Sequence, residues 1–267
     1  MKRFRHQRQA ASGGDSVVIN RRNYRLGALL HQGDNSRIHA AYPMDGGGDS
    51  AVVIKCYVCR RGDKVWDIAM REVEAMRLLS KSRHIVKLRG CSVRRCGDGT
   101  YEIFLLMDKL TCCTEIFGSG RADEACVREL CADIADALRS MKRKGLVHGD
   151  VKPSNLYYSQ DEGWQLGDFG SVMCRGERPR FVTESYCSPE ARRGEKCDIR
   201  FDLYSLGMTA YRLLSGGRLP FCDKPCDQLD DDEVYRAIER RLSGEPIPPI
   251  DGVSAETNNL VFELLAR

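Results

Sequence analysis

The sequence predicts an α+β fold in which a small, mainly antiparallel β part with one helix precedes a larger, mainly helical part. Three observations carry this reading. Between Tyr24 and Met107, short runs rich in β-branched and aromatic residues alternate with glycine-rich or polar turns. Within them one segment, DIAMREVEAMRLLS from Asp67 to Ser80, repeats its apolar residues at helical spacing. Beyond Leu110 the character changes, and Asp123 to Lys144 has the periodicity of a long buried helix stopped at Gly145.

In chain order, residues 1–20 lack sustained periodicity and contain Ser12-Gly13-Gly14-Asp15, so they read as a flexible basic arm carrying Lys2, Arg3, Arg5 and Arg8, with order beginning near Tyr24. Tyr24 to Pro43 reads as a strand, a polar turn and a second strand. A glycine-rich hairpin from Asp45 to Asp49 leads into the apolar strand Ala51 to Val58. After the helix, His84 to Leu88 and Tyr101 to Met107 are expected as two more strands joined through the turn Arg94 to Gly99, which makes a five-stranded sheet.

A chain of 267 residues can bury a sizeable core as one large domain or two lobes. Its net charge of +4 is too small to imply nucleic acid as the main partner. No apolar run reaches membrane-spanning length and the basic N-terminus leads into no apolar stretch, so a cytoplasmic or nuclear protein is expected. The thirteen cysteines are an odd count without a secretion signal and read as reduced thiols. Cys222 and Cys226 are spaced like metal ligands, but no second Cys/His pair accompanies them.

The chemistry concentrates between His148 and Gly170, in HGDVKPSNLYYSQDEGWQLGDFG. Asp150, Lys152 and Asn155 are followed by a short hairpin and then by Asp168 between Gly167 and Phe169. In phosphoryl transfer one carboxylate, here Asp150, takes or orients the acceptor's proton, while an amide oxygen (Asn155) and a second carboxylate (Asp168) hold the hard cations that bridge phosphates. Lys152 adds positive charge where the transferred group is most anionic. The stretch resembles the catalytic loop and magnesium motif of the eukaryotic protein kinase superfamily, HRDLKxxN followed by DFG, with Gly149 in place of the usual arginine.

That resemblance covers about Tyr24 to Arg267 and implies the bilobal protein kinase fold: an N-lobe over residues 21–107, then hinge and C-lobe over 108–267, with a C-terminal end that looks truncated. It implies ATP and Mg2+ as cofactors. A degenerate glycine-rich lid lies between Leu30 and Ile38, where only Gly33 matches the three glycine positions. Val52-Val53-Ile54-Lys55 resembles the strand whose lysine holds the inner phosphates, and Glu72 the helix glutamate that pairs with it. Met107 falls at the gatekeeper position, with Asp108 to Leu110 as the connector that reads the adenine edge. Val53 and Tyr157 stand at adenine-pocket positions where the family prefers smaller residues.

FVTESYCSPE, with Thr183, Tyr186 and Glu190 in register, resembles the end of the activation segment and favours protein substrates. Asp202 resembles the buried acid that bonds the catalytic-loop backbone. Together with Lys152 and Thr183 these features imply transfer of the γ-phosphoryl group of ATP to Ser or Thr hydroxyls of proteins. The alternative is a pseudokinase that binds partners, suggested by the degenerate lid, the crowded pocket and Gly149. The loss of the loop arginine implies activity that is constitutive or controlled by a regulatory protein partner.

Overall fold

The structure, a computed structural model, describes residues 16–45, 51–118 and 120–266. Residues 1–15 of the expected basic arm and residues 46–50 of the expected glycine-rich hairpin lie outside the described residues. The chain divides into two compact units, the first reaching Ala69 and including Leu88–Lys109, the second holding Met70–Lys87 and everything from Leu110 on.

The first unit is built on a sheet of six strands: β1 (Ser16–Ile19), β2 (Arg22–Gln32), β3 (Ser36–Pro43), β4 (Val52–Cys59), β5 (Leu88–Arg95) and β6 (Tyr101–Asp108). Their order across the sheet is β1-β2-β3-β4-β6-β5, and every neighbouring pair is antiparallel. The expectation of five strands is corrected by β1, which occupies residues assigned above to the arm. Its alternation buries Val17 and Ile19 in one apolar layer with Tyr24, Ile54, Phe104 and Leu106. A two-residue turn, Asn20-Arg21, joins β1 to β2 with both φ angles positive, 54° and 65°, as a primed hairpin turn requires. Asn20 also donates to Arg89 O at 2.9 Å, and Gly90 is where the turn rests: a Cβ there would lie 2.5 Å from Asn20 Nδ2.

Helix α1 (Lys64–Leu78) buries Ile68, Ala69, Val73 and Met76 at the spacing that predicted it. Of the expected strand His84 to Leu88, only Leu88 belongs to the sheet, where it opens β5 opposite Met107; residues 84–87 instead make a parallel bridge between Ile85 and Leu166, flanked by bonds of 2.9 Å from Val86 N to Leu166 O and from Leu166 N to His84 O. These bonds lie within the second unit. At the other end of the first unit, Lys109 N donates to Ala51 O at 2.8 Å.

The second unit is mainly helical. After β7 (Thr111–Cys112) and α2 (Cys113–Phe117), α3 (Glu124–Arg143) starts where Asp123 accepts the Ala125 and Cys126 amides, and it ends before Gly145 at φ 69°. Its buried face carries Val127, Leu130, Ile134, Leu138 and Met141. β8 (Leu146–Val147) pairs with β11 (Met173–Cys174), and β9 (Leu156–Ser159) with β10 (Gly163–Leu166), which is the hairpin expected between Asn155 and Asp168. α4 (Pro189–Arg192), α5 (Ile199–Leu214), α6 (Asp231–Leu242) and α7 (Ala255–Leu265) complete it. α5 is apolar nearly all round and is accordingly buried along most of its length. An antiparallel sheet in one unit and a helical second unit make the fold α+β, as the sequence predicted. Among the described residues no helix is long and apolar enough to cross a membrane.

Candidate active site

The site is hung from α5. Asp202, in the first turn of that helix and fully buried, accepts the His148 amide at 2.7 Å and the Gly149 amide at 2.8 Å. Burial pushes its carboxyl above the usual aspartate range, against the pull of His148 and of the two amides. The sequence expectation that Asp202 bonds this loop's backbone is met.

His148 is buried too, and its ring bonds at both nitrogens. Nδ1 accepts the Asp150 amide at 3.3 Å, so Nε2 carries the proton and donates to Gly167 O at 3.0 Å. One imidazole therefore sets the spacing between the loop bearing Asp150 and the turn bearing Asp168. Phe169 packs edge-on against it, centroids 5.2 Å apart. Gly149 adopts φ 80°, and a Cβ there would meet Ser171 O at 3.1 Å and the Met173 methyl at 2.8 Å. The missing arginine thus coincides with a left-handed backbone pressed against the next loop.

Asp150 gathers three donors. Thr183 Oγ1 donates to its Oδ1 at 2.6 Å, while Lys152 Nζ at 2.8 Å and Asn155 Nδ2 at 3.0 Å reach Oδ2. Lys152 also donates to Thr183 Oγ1 at 3.3 Å. Asn155 is buried and donates in addition to Asp150 O at 2.7 Å, so its amide nitrogen is spent on this loop and its oxygen is left as an acceptor. Gly167 N donates to Asn155 O at 2.9 Å, which brings Asp168, the next residue, beside Asn155. Asp168 is exposed and held at φ 58°, ψ 75°, a left-handed conformation that non-glycine residues adopt rarely and mostly at functional positions. An amide oxygen and an exposed carboxylate are the hard donors that Mg2+ takes beside phosphate oxygens, and they fit it. Among the described residues there is no Cys/His/Asp/Glu cluster for a metal, Cys222 and Cys226 included.

Of the other predicted positions in this unit, Tyr157 lies on β9 with its ring against Gly167, where a Cβ would come within 2.9 Å of both that ring and Val86. Leu110 opens the unit and is partly exposed. Glu72 is buried in α1. In the first unit, Leu30 and Ile38 flank the β2–β3 hairpin, which Gly33 closes by donating to Ser36 O at 2.9 Å; Leu30 is exposed. Lys55 is buried on β4, its ammonium 5.3 Å from the Tyr57 ring centroid. Val53 pairs with Met107 across β4 and β6. Asp108 ends β6 in a side-on pair with Arg89, Nη2 to Oδ2 at 2.7 Å and Nε to Oδ1 at 3.1 Å.

Sequence reasoning placed Thr183 in the Ser/Thr pattern at the end of the activation segment but did not predict its bond to Asp150. It stands 33 positions from Asp150, and the motif around it identified a segment end but not its partner.

A model of the protein kinase domain matches residues 24–267 of this chain. Among curated proteins, serine/threonine-protein kinase PknB of Mycobacterium tuberculosis is 27% identical over 256 residues, covering 91% of this chain and 40% of PknB. From Arabidopsis thaliana, mitogen-activated protein kinase kinase kinase 17 is 29% identical, covering 71% of this chain and 51% of its own. CBL-interacting serine/threonine-protein kinase 7 of the same plant is 26% identical, covering 97% and 59%. The chain spans between 40% and 59% of the length of these relatives. A match running from β2 to the end of the sequence, on a chain whose HGD and DFG stretches meet through one histidine, makes this protein a member of the protein kinase family.

Proposed function

We propose that the chain transfers the γ-phosphoryl group of ATP, with Mg2+, to Ser or Thr hydroxyls of protein substrates. The observation that carries this is the Asp150 carboxylate with three donors ordered around it. Two carboxylate oxygens offer about four acceptor positions, so three bonds leave one for the proton of an acceptor hydroxyl. Lys152 has three N–H bonds; Asp150 and Thr183 take two, and the third can face the transferred group. Asn155 and Asp168 would hold the metal through oxygen, and the bound pair of nucleotide and Mg2+ supplies the phosphoryl group and neutralises its charge.

Asp150 acts here as the group that orients the hydroxyl and receives its proton, and Thr183 fixes the rotamer of the carboxylate that does so. The Thr183 contact and the Ser/Thr kinase names of the relatives support Ser and Thr as acceptors. The test is incubation of the purified chain with ATP, Mg2+ and a mixed protein substrate, followed by phosphoamino-acid identification. Phosphoserine or phosphothreonine is expected. Nucleotide binding without any transfer would replace this reading with that of a pseudokinase binding module.

A further inference from the structure

Helix α6 carries a guanidinium that the site described above does not use. Arg241 is only 2% exposed, and no carboxylate among the described residues pairs with it. Its donors go to neutral acceptors: Nη1 to Cys187 O at 2.6 Å and to the Tyr204 hydroxyl at 3.1 Å, Nη2 to Glu184 O. The guanidinium also lies 5.6 Å from the centre of the Tyr204 ring. A buried cation without a counter-ion is costly, and it is held only where fixed acceptors surround it. Here two carbonyls three residues apart face inward, and one planar fork bonds each through its own nitrogen, a fixed geometry that a lysine's single ammonium does not reproduce.

Those carbonyls belong to the turn that presents Thr183. Tyr186 N and Cys187 N both donate to Thr183 O, at 2.9 and 3.0 Å, so residues 183–187 are closed on one side by Thr183 and on the other by Arg241. The same turn has outer ties through Arg192, to Glu184 at 3.0 Å and to Glu239 at 3.7 Å, but these side chains are 39–46% exposed and such pairs contribute little. The buried fork is the stronger constraint.

We infer that Arg241 is a positioning residue that keeps the Thr183 hydroxyl on Asp150. Its catalytic consequence rests on the proposed reading of Asp150 as proton acceptor, whereas its effect on Thr183 does not. Arg241→Met removes every donor and keeps an apolar stem; Arg241→Lys keeps the charge without the fork.

The first readout needs no turnover. In the wild-type chain the Thr183 methyl resonance should shift on Asp150→Asn, because the two side chains are bonded; in Arg241→Met that response should vanish, and in Arg241→Lys it should shrink. The second readout is kinetic. Arg241→Met should lower kcat by about 100-fold, as misplacement of a reacting group does, with the nucleotide KM unchanged, and adding Arg241→Met to Thr183→Val should cost little beyond Thr183→Val alone. A full methyl response in folded Arg241→Met, or losses that multiply in the double variant, would overturn the inference. If Arg241→Met fails to fold, the Arg241→Lys response decides. If the wild type shows no turnover, the transfer reading fails and the methyl response still decides the role of Arg241.

Discussion

Asp202 accepts the amides of His148 and Gly149 from a position without solvent exposure, one carboxylate oxygen for each. The loop that carries Asp150 is thereby fixed to α5 through backbone amides rather than through its own side chains. Asp202→Asn keeps the shape but turns an N–H toward a buried N–H. The loss should be about 1–3 kcal/mol of stability together with a fall in turnover, measured by urea unfolding and phosphotransfer. A variant equal to the wild type in both measurements would contradict this anchoring.

Gly149 has a different reason to be glycine than the absence of an arginine. At φ 80°, a side chain costs roughly 1–2 kcal/mol in backbone strain, and its Cβ would press on Ser171 O and Met173. Gly149→Ala should lower stability by about that amount or more and disturb the loop that ends in Asp150. Gly149→Arg should carry the same penalty and create no strong dependence on loop phosphorylation, which phosphatase treatment of the variant would check.

Glu124 links the start of α3 to Ser254, which caps α7, by accepting its hydroxyl and, at 3.1 Å, its amide. The bond from the Ser254 hydroxyl, with that from Thr257 next, holds the carboxyl down at about 2 from the ordinary 4.5. A lowered folded value stabilises above the unfolded one. The contribution is therefore full above pH 4.5 and disappears as the pH falls through about 2. Glu124→Gln should flatten this part of the acid limb of unfolding; an unchanged limb would show that the link adds nothing.

Much of this was legible in the sequence because it is local. The alternation of β2 to β4 and β6, the helical spacing of α1 and α3, and the ordered set Asp150, Lys152, Asn155 and Asp168 are patterns within a few residues of one another. What was missed depends on distant placement. β1 falls among residues that the sequence assigns to the arm: four residues are too short to show sustained periodicity beside Ser12-Gly13-Gly14-Asp15, and the turn that follows, Asn20-Arg21, lacks the glycine that usually marks positive φ. His84 to Leu88 has a strand's composition, but its backbone is used by Leu166. Arg241 sits in RAIERRL, which looks like a solvated helix face, and only the carbonyls of Glu184 and Cys187 give it a reason to be inside.

The most direct test of the central claim compares Mg2+-dependent phosphotransfer by the wild-type chain and by Asp150→Asn at saturating ATP. Asn155 and Asp168 remain in the variant, so nucleotide and metal binding should persist while the group that receives the proton is gone. General-base catalysis contributes about 10²–10⁴-fold, and a loss of that size in kcat, in a protein that unfolds like the wild type, is the expected result. Equal turnover in the two proteins, or none in either, would contradict the account.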